Sequence, residues 1–310
     1  MPFFLPHLLI IWILASWTQA SVYISSVIPI SASDPSSFSN VDIFVLRHLS
    51  LNWTVDFASK TVYGSAELTF APSPDRLASA DGSLLILDSR ALDISSILLK
   101  ETGNELSFYF AHPHPFFGSA LVIEIPPAFQ NQSFSLVIRY STTSAGSALQ
   151  WLEARHTTSQ RHPFLFSQCW PIHARSLVPC QDTPAVKFTY DAEVFIPPDL
   201  EVLMSAIREV GPVLSVPLQN TSLNRSVFRQ TIPIPAYLLA LAVGDLESRV
   251  IGPRSQVWAD PKIVDAAAFE FSETESFIRT AEGIGGPYVW GRYGKWWTVG
   301  LVTTDFVNLG

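Results

Sequence analysis

The chain has almost no sulfur and little basic charge. Its 310 residues include 2 cysteines and 2 methionines. Two cysteines cannot build the dense disulfide framework of a small secreted scaffold, and Cys169 and Cys180 lack zinc-finger spacing. Lysine and arginine number 19 against 27 acidic residues, for a net charge of −8, and no basic run occurs. The electrostatic footprint of a nucleic-acid binder is missing, so nucleic acid is not an expected partner. The apolar run at the N-terminus is too short for a spanning helix, and no membrane span is expected. A glycine-rich phosphate loop and a Gly-x-Ser-x-Gly nucleophile elbow are also absent.

What the chain has is apolar bulk and frequent punctuation. It is 48% hydrophobic and 12% aromatic, enough for a sizeable core, and its 23 prolines favour strand ends and turns over long helices. Residues 1–20 read as a secretory signal: Leu8 to Ala15 is a short apolar run, and Thr18-Gln19-Ala20 is a small-residue cleavage end. Residues 21–41, serine-rich with Pro29 and Pro35, read as a linker. Asn52, Asn131, Asn220 and Asn224 each begin an Asn-X-Ser/Thr sequon, which accepts a glycan on the surface of an exported chain. These features together predict a secreted protein.

From Arg47 to Phe70 two alternating runs, LSLNWTVDF and VYGSAELTF, predict a hairpin. Further strands are predicted over Leu84–Leu99 with a polar break, and over Ser107–Phe110, Ala120–Ile125 and Ser133–Tyr140. Ala185–Ile196, Val202–Ile207, Val227–Ile232 and Tyr237–Val243 continue the series. Short strands with Gly, Pro and Asn between them specify a mainly β fold, an antiparallel sandwich or saddle over residues 42–249. The period then changes. Asp260-Pro261 offers a helix start, and Val264, Ala267, Ala268, Phe271 and Ile278 follow at helical spacing. One helix is predicted over 262–282, with a domain boundary near residue 250.

None of the seven histidines makes a helical zinc site, since His-Glu-x-x-His is absent. His112 and His114, flanked by Pro113 and Pro115, read as a surface turn. His173 and Cys169 suggest a base and a thiol nucleophile, but no orienting group is evident, and buried small hydrophobes are the simpler reading of the cysteines. Both cysteines lie in Phe164 to Tyr190, FLFSQCWPIHARSLVPCQDTPAVKFTY, which crowds Trp170, His173, Arg175, Gln181 and Asp182 beside bulky apolar residues. Polar groups at that density need fixed partners, which makes this stretch a structural corner or the wall of a site.

The same stretch carries a resemblance. SALQWL (Ser147 to Leu152), HPFLFSQC, the pair Ala174-Arg175, PCQDTPAVK and EVLMSAIR resemble the leukotriene A4 hydrolase-like zinc aminopeptidases of peptidase family M1. IPAYLLALAVGDLESR, IGPRSQVW, FEFSETES and GGPYVWGRY follow in the family's order, so the resemblance runs from about Arg47 to Tyr293. It implies an aminopeptidase N-like β-domain, then the helical start of a gluzincin (thermolysin-like) catalytic domain over 250–293. A divergent tail covers 294–310. The complete enzyme would take a peptide substrate, use zinc as cofactor, and hydrolyse a peptide bond or open an epoxide. The family is cytoplasmic, which is the alternative to secretion.

The resemblance also implies a substrate-binding loop over Ser167–Arg175, with Cys169, Trp170 and Pro171 at its centre. The family places Glu or Gln directly after the cysteine, where it helps hold the substrate's α-amino group. Trp170 stands there in this chain. An indole donates a hydrogen bond and cannot accept one from an ammonium, although its face can attract a cation. The family's zinc helix would follow GGPYVWGRY, and from Gly294 the chain reads GKWWTVGLVTTDFVNLG instead. No catalytic residue or metal ligand is therefore assigned, and no zinc is expected in this chain. The expectation is the N-terminal part of such an enzyme, a fragment or splice form. The other reading is a non-catalytic peptide- or partner-binding β-module.

Overall fold

The period-two alternation of the sequence is realised as strands with one buried and one open face. The structure, a computed structural model, describes residues 23–24, 30–31, 33–76, 82–111, 113–209, 214–218, 221–298 and 302–304. The leader at 1–20, His112 and Asn220 lie outside the described residues.

In chain order the strands are β1 (Tyr23–Ile24), β2 (Phe44–Asp56), β3 (Thr61–Pro72), β4 (Leu84–Ser89), β5 (Leu92–Leu99), β6 (Phe108–Ala111) and β7 (Ser119–Glu124). Then come β8 (Phe134–Thr142), β9 (Leu149–Leu152), β10 (Phe164–Ser167), β11 (Phe188–Ile196), β12 (Glu201–Met204), β13 (Ile207–Arg208), β14 (Leu214–Leu218), β15 (Thr221–Ile234) and β16 (Leu241–Gly244). The C-terminal part holds β17 (Glu247–Val250), β18 (Ser255–Ala259), helices α1 (Val264–Glu270) and α2 (Thr274–Gly285), then β19 (Tyr293–Thr298) and β20 (Val302–Thr304).

An eight-stranded sheet runs β13-β15-β11-β2-β3-β8-β5, with β14 added beside β15. Two four-stranded sheets, β1-β6-β7-β4 and β12-β16-β10-β9, contribute to the same core as its inner face. Leu49, Leu51 and Trp53 of β2 share that core with Leu85 and Ile123 of one small sheet and Leu165 and Val243 of the other. This is the sandwich or saddle expected, with one refinement. Most pairs are antiparallel, but β2 and β11 run parallel at its centre, with His48 opposite Thr189 and Trp53 opposite Val194. Trp53 is fully buried. Its ring nitrogen donates to the Tyr140 hydroxyl at 2.8 Å, which donates to the Leu177 carbonyl at 3.0 Å. That chain ties the large sheet to the Phe164–Tyr190 stretch. Burying a side chain of this size stabilises the fold by about 1.5–3 kcal/mol, and the indole N–H keeps a partner.

The C-terminal part differs from the single helix expected. Strands continue past residue 250 in the hairpin β17–β18, and the helical residues divide into α1 and α2. The break falls at Phe271–Glu273, where the Thr274 hydroxyl bonds the Phe271 carbonyl at 2.7 Å. A hydroxyl that bonds nearby backbone competes with the helical ladder. Asp260 caps a preceding turn, accepting from the Lys262 N–H at 3.0 Å, while α1 itself begins at Val264. The two helices connect β18 to β19, which pair in parallel with Trp258 opposite Trp296. Parallel neighbours require such a crossover.

Candidate functional site

The Phe164–Tyr190 stretch leaves β10, makes a tight loop with a cis Trp170–Pro171 bond, passes through a short 3-10 helix at Ala174–Ser176, and re-enters the large sheet as β11. Its interior is an ionic corner. Arg175 and Asp88 are fully buried and Asp182 nearly so. Arg175 donates through Nε to Asp182 Oδ2 at 3.0 Å, and through its other nitrogens to the carbonyls of Ser36, Phe117 and Asp182 at 2.9, 3.0 and 3.1 Å. Asp88 lies 3.6 Å from the same guanidinium. It accepts from the Ser37 hydroxyl at 2.6 Å and from the Phe38 and Asp182 N–H groups at 2.7 and 3.0 Å. Gln181 accepts from the Leu46 N–H at 2.8 Å and donates to the Phe44 carbonyl at 2.7 Å, so its amide pairs with β2 before β11 takes over. Such full pairing is what allows charges to sit in a core.

Two carboxylates share one guanidinium here, and the surroundings exclude water. Burial raises both acids, outweighing the pull of Arg175; Asp182 is pushed up to about 6. Burial, and then the nearby Asp182 charge, push the Cys169 and Cys180 thiols up as well. Both cysteines are free and fully buried. A thiol in that state is no nucleophile. His173 does not act as its base: Nδ1 faces the Ser147 hydroxyl at 2.7 Å, and its contact with Cys169 is a backbone bond, N–H to carbonyl, at 2.8 Å. The base-and-thiol pairing considered from sequence is therefore not formed. Its charged form is disfavoured by partial burial, then by Arg90 and Arg175.

The loop's outer side is different. Trp170 is 63% exposed, Pro171 is exposed, and Cys169 beneath them faces the core. Of the three loop residues singled out from sequence, only Trp170 and Pro171 therefore offer side chains outward. The segments quoted for the resemblance are joined in space. Ser176 Oγ accepts from the Ser147 and Ala148 N–H groups at 3.2 and 2.8 Å, and the Gln168 N–H reaches the Ala148 carbonyl at 2.7 Å.

Other polar clusters are structural or superficial. His114 stacks on Phe117 at 4.3 Å and accepts the Phe116 and Phe117 N–H groups at Nδ1, making the surface turn anticipated. His48 bridges Thr189 and Asp191 at 2.7 and 2.6 Å across the parallel pair β2–β11, on the half-exposed outer face. Sequence reasoning missed this cluster because His48 lies 141 and 143 residues from its two partners. Among the described residues no group of three His, Cys, Asp or Glu side chains is placed to hold a metal ion, so those residues do not fit a zinc site. A groove of about 510 Å³ runs beside α2, lined by Phe277, Ala281, Tyr288, Val289, Trp290 and Tyr293 among others. Phe269, Phe277 and Ile284 on the two helices are 82%, 70% and 86% exposed.

Comparison with known proteins decides the relationship. The model of the peptidase M1 N-terminal domain matches residues 45–238. The chain belongs to the peptidase M1 N-terminal domain family. It is 41% identical over 262 residues to leukotriene A-4 hydrolase of Xenopus laevis, covering 84% of this chain and 41% of that protein. It is 39% identical over 263 residues to leucine aminopeptidase 2 of Yarrowia lipolytica, covering 84% of this chain and 37% of that protein. The solved structure of yeast leukotriene A4 hydrolase in complex with bestatin superposes with a TM-score of 0.72 at 37% identity, over 84% of this chain and 38% of that one. The M1 chain described here thus spans about two fifths of the relatives it matches.

Proposed function

We propose that these 310 residues are the supporting N-terminal part of a leukotriene A4 hydrolase-like zinc aminopeptidase and are not catalytic by themselves. The observation that carries the reading is the combination of a family match over 45–238 with a sequence that contains no His-Glu-x-x-His segment. Metal-assisted hydrolysis needs a fixed cation with an open coordination position and a base beside its water. In the complete enzyme zinc would supply that chemistry, on residues this sequence does not include. The β-domain would hold the loop bearing Trp170 and Pro171 against a peptide substrate, using the Arg175–Asp88–Asp182 corner as its rigid base. Rigidity suits that task, because a positioning group must not relax away from its ligand.

A second reading, a binding module without catalysis, is favoured by the exposed Phe269, Phe277 and Ile284 and the groove beside α2. Apolar surface of that kind normally meets a partner. For location, the apolar run Leu8–Ala15 and the sequons support entry into the secretory pathway.

Metal analysis and an aminoacyl-arylamide assay on the purified 310-residue chain test the central reading. No stoichiometric zinc and no turnover are expected. One equivalent of tightly bound zinc with turnover would overturn it.

A further inference from the structure

The fold treats the described sequons very differently. Asn131-Gln132-Ser133 lies wholly exposed in the turn that follows the short 3-10 helix Pro127–Phe129 and precedes β8. The turn is closed by its glutamines: Gln130 donates to the Ile125 carbonyl at 3.0 Å, and Gln132 to the Ala128 carbonyl at 2.9 Å. Among the described residues no hydrogen bond engages the side chain of Asn131 or Ser133. Asn52 is also exposed but sits within β2 rather than in a turn, with Nδ2 3.5 Å from a Glu193 carboxylate that Arg225 also holds. Asn224 sits within β15, half-buried, and its Nδ2 donates to the Pro198 carbonyl at 3.1 Å.

We propose that Asn131 carries an N-linked oligosaccharide, and that it is the described sequon the folded chain accommodates freely. This rests on the secretory reading above. In the transfer, Asn131 Nδ2 bonds to the anomeric carbon of a lipid pyrophosphate-linked oligosaccharide. The bond from that carbon to the pyrophosphate breaks, the lipid pyrophosphate leaves, and the amide gives up one proton. Transfer occurs on extended chain, so the folded position decides whether the bulky product is tolerated. At Asn131 the sugar projects into solvent and displaces no protein contact. At Asn224 it would break the bond to Pro198, and at Asn52 it would crowd the Glu193–Arg225 pair.

The test expresses the full chain in a eukaryotic secretory host, once with its own N-terminus and once behind a heterologous signal sequence. Peptide-N-glycosidase treatment, which leaves aspartate at occupied positions, is followed by peptide mass spectrometry. Behind the heterologous signal, Asn131 is expected to be occupied in most molecules, and both Asn131→Gln and Ser133→Ala are expected to remove one glycan's mobility shift. Ser133→Ala keeps the asparagine, so agreement of the two variants excludes a folding artefact. A secreted, folded chain with Asn131 unmodified, or with Asn224 modified in preference to it, overturns the proposal. Modification at Asn131 behind the heterologous signal but not behind the native N-terminus would refute the secretory reading while upholding the site.

Discussion

Replacing Arg175 with methionine tests whether the ionic corner holds the candidate loop. The substitution keeps most of the side chain's length and apolar volume while removing the charge. It deletes the side-chain donations to Asp182 Oδ2 and to the carbonyls of Ser36, Phe117 and Asp182. It also leaves Asp88 and Asp182 buried with no cation between them. Removing one member of a buried ion pair costs roughly 3–5 kcal/mol, because the remaining charge has no compensation. For a domain of this size that is a fall in Tm of roughly 6–20 °C. An exposed pair gives the control: Lys60 lies 3.8 Å from Glu153, with both side chains about half exposed. Lys60→Met should cost about 0–1 kcal/mol. Thermal melts followed by circular dichroism at neutral pH compare the two variants. If Arg175→Met melts within roughly 2 °C of Lys60→Met, the corner does not stabilise the fold as argued.

The acids of the corner give a pH prediction with a definite sign. A carboxyl whose folded pKa is raised contributes stability below its unfolded value, and loses it as pH climbs through the folded one. With Asp182 pushed up to about 6 from 3.8, wild type should lose stability relative to Asp182→Asn between those two values. Urea titrations across that window would sink the argument if wild type instead gained on the variant. At the loop surface, Trp170→Gln in a protein completed with the family's catalytic half should raise exopeptidase activity. A restored hydrogen bond to a charged amine is worth about 1.5–3 kcal/mol, roughly 10–150-fold in kcat/KM. An unchanged arylamide kcat/KM would remove Trp170 from substrate recognition.

The hairpin β2–β3 was legible because buried and open residues alternate along both strands, and β11 for the same reason. The parallel pairing of β2 with β11 was not, since alternation gives each strand its faces but not its distant neighbour. Strand β10 reads FLFS, a short apolar run with no period to detect. Tyr237 was expected to begin a strand, yet Ala236–Leu238 forms a 3-10 turn before β16. The division between α1 and α2 carries no Gly or Pro, and its available signal was the pair of hydroxyl residues Ser272 and Thr274. The Phe164–Tyr190 stretch was located by its crowded polar residues, and the loop within it by the family resemblance. Its division into a sealed ionic interior and an exposed Trp170-Pro171 tip needed the three-dimensional partners Asp88, Ser36 and Phe117, which lie far away in sequence.

The central strand pair has a consequence for how the chain is made. His48 meets its neighbour Thr189 across a sequence separation of 141 residues. Closing a loop of that length costs about 4 kcal/mol of entropy before any contact repays it, and topologies rich in such pairings fold slowly. At roughly 5–20 residues per second of synthesis, β2 would leave the ribosome roughly 7–28 s before β11 follows it. Through that interval the nascent hairpin β2–β3 presents an unpaired backbone edge and one greasy face. The polar opposite face, which carries His48, Ser50 and Asn52 of β2 and Ser65, Glu67 and Thr69 of β3, then opposes association with other nascent chains.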